Sequence, residues 1–106
     1  MTSVYFREYY GRHYITIKGH SGYKSSGEDL VCAGASTLSY TLLNTLLDEE
    51  ASENLKLIRK IIRDGYMHFE IELFDFSKQR ICGILDACLT GFQMLEESYP
   101  DYVRVT

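Results

Sequence analysis

The sequence predicts an α+β fold: a mainly antiparallel sheet of four to five strands packed by two helices on one side, in the order β-β-α-β-β-α with a short closing strand. Three observations carry this. Two β-branched and aromatic runs flank Gly11, Asp64-Gly65 precedes an alternating apolar stretch, and two longer segments repeat apolar residues with helical period.

In chain order, Val4-Tyr5-Phe6 and Tyr14-Ile15-Thr16-Ile17 are the first two strands, joined as a hairpin around Gly11. From Gly19 to Gly27 the chain carries three glycines and three serines without hydrophobic period, which predicts a mobile loop. Leu38, Leu42 and Leu46 then recur every four residues, so a helix is expected from about Leu30 to Asp48, with Asp29 as its N-cap. Leu55, Leu57, Ile58, Ile61 and Ile62 fit either a short helix or a strand. The Asp64-Gly65 signal, followed by Phe69, Ile71 and Leu73, favours two paired strands. Ile81, Ile84, Leu85, Cys88, Phe92 and Leu95 mark a second helix that Ser77 is placed to cap and Pro100 to end, and Tyr102 to Val105 suit a short last strand.

At 106 residues the chain is expected to be a single domain with one core, and its 45% hydrophobic and 25% charged residues suit an ordinary globular domain. Eleven Lys and Arg against fifteen Asp and Glu give a net charge of −4. The densest basic cluster, Lys56, Arg59, Lys60 and Arg63, shares its segment with Glu53 and Asp64, so direct nucleic-acid binding is not expected. Residues 1–10 lack the apolar run of a signal peptide and no 18 apolar residues occur in a row, so a cytoplasmic location without membrane partner is expected. Three cysteines cannot all pair within one chain, and in a reducing compartment each is core packing or chemistry.

Chemistry concentrates between Gly19 and Ser36. A His at a strand end, His20, is followed by a Cys near a helix start, Cys32. Orphan N–H groups and partial positive charge in a first helical turn stabilise a thiolate, and an imidazole within reach takes the thiol proton and later protonates a leaving amine. The N–H groups of Cys32 and Ala33 are then candidates to hold an oxyanion. On spacing alone the pair is a weak signal, since a Cys beside Val31 and Ala33 is equally a buried small hydrophobe, and a His at a strand end equally a partner for a neighbouring carbonyl.

Gly19-His20, followed by Gly27-x-Asp29-Leu30-Val31-Cys32-Ala33-x-x-Ser36, resembles the signature of the ribosomal-processing cysteine proteases (Prp, YsxB-like). The likeness extends through the first hairpin, the Asp64-Gly65 turn and the closing helix. It implies a homodimeric α+β enzyme without cofactor or metal, which trims a short hydrophobic N-terminal extension from large-subunit ribosomal protein twenty-seven by cutting after a phenylalanine. His20 and Cys32 match the family's catalytic pair, and Asp29 and Ser36 its accompanying polar positions. Ser21 stands where alanine is usual, and Gly34-Ala35 replace a more common alanine and valine.

A substrate of this kind requires an apolar pocket by Cys32, and the loop with Gly19, Ser21, Gly22, Tyr23 and Gly27 is its expected lid, Tyr23 packing on the substrate. Asp29 has a capping and an imidazole-contacting reading; Ser36 is expected to bond the carbonyl four residues back, or to act in the site. Cys88 lies on the apolar stripe of the second helix and is expected in the core, Cys82 partly exposed, and His13 and His68 at the surface. Glu70, Glu72 and Asp75 read as a solvated face, and nine tyrosines suit a dimer interface. A non-catalytic ribosome-associated peptide-binding module and a thiol acyltransferase or hydrolase are the rival functions.

Overall fold

The computed structural model of the chain describes residues 1–19 and 26–106, residues 26–29 by their backbone alone. Five strands form one sheet: β1 (Thr2–Tyr9), β2 (Arg12–Lys18), β3 (Leu55–Arg63), β4 (Tyr66–Leu73) and β5 (Val103–Val105), in the order β3-β4-β2-β1-β5. Two helices, α1 (Ser26–Ala51) and α2 (Lys78–Ser98), cover one face, and a 3-10 turn at Asp75–Ser77 leads into α2. All pairings are antiparallel except that of β5 with β1, so the expected α+β fold holds, as a mixed sheet.

Turn chemistry sets the hairpins. Tyr10 (φ 51°) and Gly11 (φ 81°) both take positive φ, as a two-residue primed turn requires, whereas between β3 and β4 only the second turn residue, Gly65 (φ 69°), does so, the position at which an unprimed type II turn needs glycine. The ambiguity over residues 55–62 resolves into strand with a bulge: Leu57 pairs Ile71 and Arg59 pairs Glu70, leaving Ile58 as the extra residue. That insertion breaks the alternation and creates the apolar doublet that imitates a helix.

Val4, Ile15, Phe69 and Ile71 project from the sheet into the core, where they meet Leu42 and Leu46 of α1 and Ile81 and Phe92 of α2, all at most 1% exposed. Burying one such side chain contributes about 1.5–3 kcal/mol. The buried stripe of α1 runs Val31, Ala35, Ser39, Leu42, Leu46 and Glu49. Leu30–Ala51 is long and apolar enough to cross a bilayer by length and composition, yet this stripe spends its apolar side on sheet and α2. The two helices interlock through glycines. A Cβ on Gly91 would lie 2.7 Å from Leu38 Cδ2, and one on Gly34 would lie 3.1 Å from Leu95 Cδ2. Gly34 therefore serves the helix–helix contact rather than an approach by substrate or loop.

Two expected helix starts need correction. The first helix begins at Ser26, not Leu30, which places Gly27 in it rather than in a loop and makes Asp29 its fourth residue rather than its N-cap. Ser77 is indeed the N-cap of α2, but its side chain makes no cap hydrogen bond; the hydroxyl donates instead to Asn54 O (2.6 Å), tying the helix to the head of β3.

Candidate active site

A cleft of about 150 Å³ opens between the N-terminal half of α1 and one end of the sheet. Ile17, Ala35 and Met67, each 6% exposed, form its apolar floor. Cys32, Ser36, Ser39 and Tyr40 line it from α1, Thr2 and Gly19 from the β1–β2 side, and residues 63–66 from the β3–β4 turn. The helical period brings Cys32 and Ser36 to the same wall, one turn apart. Cys32 is half-buried on this open cleft, and the reading of it as a core hydrophobe gives way.

Two contacts fix the opposite wall. Gly19 donates its N–H to Gly65 O at 3.0 Å, and any Cβ on Gly19 would meet Thr2 Cα at 2.7 Å. Only glycine lets the end of β2 pass so close to the start of β1. Thr37, Ser39 and Thr41 each donate a hydroxyl bond to the carbonyl four residues back, so Ser39 reaches the buried stripe without an unmet donor.

Of the expected site residues, Cys32, Ser36 and Gly19 come together here. His20, Ser21, Gly22 and Tyr23 lie outside the described residues, as do the side chains of residues 26–29, and with them the imidazole-contacting reading of Asp29. Gly19 is the covalent neighbour of His20, so the chain reaches His20 from the cleft's edge.

The early start of α1 changes the electrostatic argument. Cys32 is the seventh helical residue, about 9 Å along the axis from Ser26, where the field of the helix end has largely decayed. The backbone N–H groups of Cys32 and Ala33 fall within the i→i−4 ladder, facing the carbonyls of residues 28 and 29, and are not free oxyanion donors as expected for a first turn. Activation of the thiol therefore falls on a nearby base.

The other thiols and imidazoles separate cleanly. Cys88 is buried, and burial pushes its thiol pKa up. Cys82 is half-buried and lines a second cavity of about 140 Å³ with His13, at the other end of β2. The two remaining histidines are not surface residues, since their side chains are only 17% (His13) and 16% (His68) exposed. His68 sits on the sheet's outer face, its Nδ1 2.8 Å from Thr16 Oγ1 and its Nε2 2.8 Å from Glu70 Oε2. The sheet lies between it and the helix layer that carries Cys32. Among the described residues no three His, Cys, Asp or Glu side chains are grouped to hold a metal ion.

Tyr40, 52% exposed, Tyr66, Thr2 and Arg63 were not singled out as site residues from the sequence. Tyr40 follows Cys32 and Ser36 at the helical spacing of four and was open to that reading, whereas Thr2, Arg63 and Tyr66 reach the cleft only through strand pairing, for which no local motif exists.

A half-buried thiol on an open cleft with an apolar floor, carried by a two-layer α+β domain, is the arrangement of a thiol hydrolase. Residues 1–104 match the model of the family described as cysteine protease Prp; the chain belongs to this family and is a cysteine protease. It is 28% identical to the ribosomal processing cysteine protease Prp of Bacillus subtilis over 92 residues, 85% of this chain and 80% of that one. Its likeness to Staphylococcus aureus Prp is 28% over 94 residues, covering 86% and 82%. Among solved structures, S. aureus Prp with a covalently linked product peptide superposes with a TM-score of 0.71 at 25% identity, over 100% of this chain and 98% of that one. SMU.848 from Streptococcus mutans gives 0.71 at 29%, over 100% and 92%.

Proposed function

We propose that the chain is an endopeptidase that removes a short hydrophobic N-terminal extension from large-subunit ribosomal protein twenty-seven, with Cys32 as nucleophile and His20 as base. The observation that carries this reading is the position of Cys32 on a cleft whose opposite edge ends at Gly19, one residue before His20. The names of the relatives, as ribosomal processing proteases, support the substrate class, and the S. aureus relative was crystallised with a covalently linked product peptide.

Cys32 Sγ gives its proton to the His20 imidazole and attacks the scissile carbonyl carbon. The tetrahedral intermediate collapses as the imidazolium protonates the leaving amine, leaving a thioester on Cys32. His20 then deprotonates a water that attacks the thioester, and the acid is released with the thiol restored. Ile17, Ala35 and Met67 supply the apolar floor that a hydrophobic residue before the cut requires. Ser36 stands in the cleft beside the nucleophile, and Tyr23 of the segment after His20 packs on the peptide. Acting as a homodimer in the cytoplasm completes the reading. Stacked rings of Phe74 and Phe76, 37% and 76% exposed with centroids 5.8 Å apart, support an interface between copies.

A synthetic peptide spanning the hydrophobic extension and the first residues of the mature ribosomal protein tests the proposal. Mass analysis should show one cut after phenylalanine with the wild-type chain and none with Cys32→Ala or His20→Ala. An intact peptide with the wild-type chain would remove the assignment.

A further inference from the structure

Along the chain the basic residues are scattered; the sheet register gathers them. Directly paired residues project to the same face. The face turned away from the helices therefore carries Arg7, Arg12, Lys18, Lys56, Arg59, Arg63 and Arg104. Only two carboxylates, Glu70 and Glu72, share it. Seven cations stand there against two anions, leaving four against thirteen for the rest of the chain. A protein of net charge −4 thus has one decidedly positive face.

Part of that charge is uncompensated. Arg12 holds Glu72 at 2.6 Å, Arg59 lies 4.0 Å from Glu70 and Lys56 acts on Glu72 across the ladder at longer range, whereas no carboxylate among the described residues is within ion-pair distance of Lys18, Arg63 or Arg104. Four rings, Tyr5, Tyr9, Tyr14 and Tyr66, stand in the same rows. Lys18 Nζ lies 5.4 Å from the Tyr5 ring centroid, and the Arg63 guanidinium 5.9 Å from that of Tyr66.

We propose that this face binds single-stranded RNA, with phosphates on the uncompensated cations and bases stacked on the tyrosine rings. Rings and cations interleaved on a pleated sheet meet both needs of that ligand: planes for bases of any sequence, and positive groups beside them for the backbone. A second copy is the poorer occupant, because two such faces brought together would oppose like charges. Arg63 and Tyr66 also line the Cys32 cleft, so RNA held on the face lies next to the peptidase site. The inference rests on charge and ring placement and goes beyond the peptidase reading without depending on it.

The test is fluorescence anisotropy of a labelled, unstructured RNA 20-mer with the full chain at 50 and 200 mM KCl. Three neutralised phosphates, one on each uncompensated cation, predict roughly a 20-fold loss of affinity between these salts, from a slope of about 0.7 per phosphate. Lys18→Glu with Lys56→Glu should weaken binding at least tenfold, and Tyr5→Ala severalfold, with peptide cleavage and the circular dichroism spectrum unchanged. Arg59→Glu is the substitute should the double variant fail to fold. Absence of binding at 50 mM KCl, or binding untouched by charge reversal, overturns the proposal. It is equally overturned if anionic phosphatidylglycerol vesicles bind and RNA does not, or if charge reversal alters only the oligomeric state.

Discussion

Gly19 donates its N–H to the carbonyl of Gly65, and this bond joins the end of β2 to the turn that forms the far wall of the Cys32 cleft. One backbone contact thereby sets both the width of the cleft and the point from which the chain departs toward His20. Gly19→Ala would force a Cβ against Thr2 Cα and Met1 O, at 2.7 and 2.9 Å, where the neighbour is backbone and must move. We expect about 1–3 kcal/mol of destabilisation and a loss of kcat/KM beyond what the melting shift explains, read by thermal melts and peptide cleavage at one temperature.

The α2 glycines predict opposite outcomes for the same substitution. Alanine in a helix interior is favoured over glycine by about 1 kcal/mol. At Gly83 a Cβ meets nothing within 4 Å, so Gly83→Ala should raise the melting temperature by about 4 °C. At Gly91 it would meet Leu38 Cδ2 at 2.7 Å, so Gly91→Ala should forfeit that gain and lower the melting temperature. Paired melts of the two variants decide the matter.

Acid should destabilise the fold in two stages. Burial holds His13 below its ordinary value, with Lys78 acting in the same sense against Glu8 and Asp86. The unfolded chain takes up this proton first, so stability falls as pH drops below about 6.5. Glu49 is held below the carboxylate range chiefly by its hydrogen bonds from Arg80, at 2.5 and 3.1 Å. Its contribution is present above about pH 4.3 and lost as pH falls through the folded value. Denaturant titrations across pH should show His13→Gln flattening the upper stage and Arg80→Ala moving acid unfolding to higher pH.

Tyr40 is half exposed on the cleft wall, and a hydrophobic residue bound there would cover it. An aromatic pair contributes about 0.5–1.5 kcal/mol, so Tyr40→Ala should raise KM about 2- to 12-fold for a substrate with phenylalanine before the cut. kcat should change little. Steady-state cleavage against an alanine-substituted peptide separates this contact from a general loss of fold.

Most of the fold was legible because its signals are local. Turn glycines at positions 11 and 65 announced both hairpins, and the period of Ile81 through Phe92 announced α2. The start of α1 was not, since Ser26-Gly27 carries the composition of a loop and a tenable N-cap in Asp29 stands three residues on. The bulge at Ile58 hid β3 by breaking its alternation. In the site, Cys32 and Ser36 were readable from a motif within one helix and Tyr40 from the same helical period, whereas Thr2 and the Arg63–Tyr66 wall reach the cleft only through long-range pairing. The charged outer face was invisible for the same reason, its cations being spread over four strands.

The central claim is that the sulfur of Cys32 is activated by the imidazole of His20. Residue-resolved mass spectrometry after brief iodoacetamide treatment at pH 7 measures this directly on the three thiols of the folded chain. The account predicts that Cys32 is alkylated many times faster than Cys82 or Cys88, and that His20→Ala removes the difference. Equal rates at Cys32 and Cys82, or a Cys32 rate untouched by His20→Ala, would contradict it.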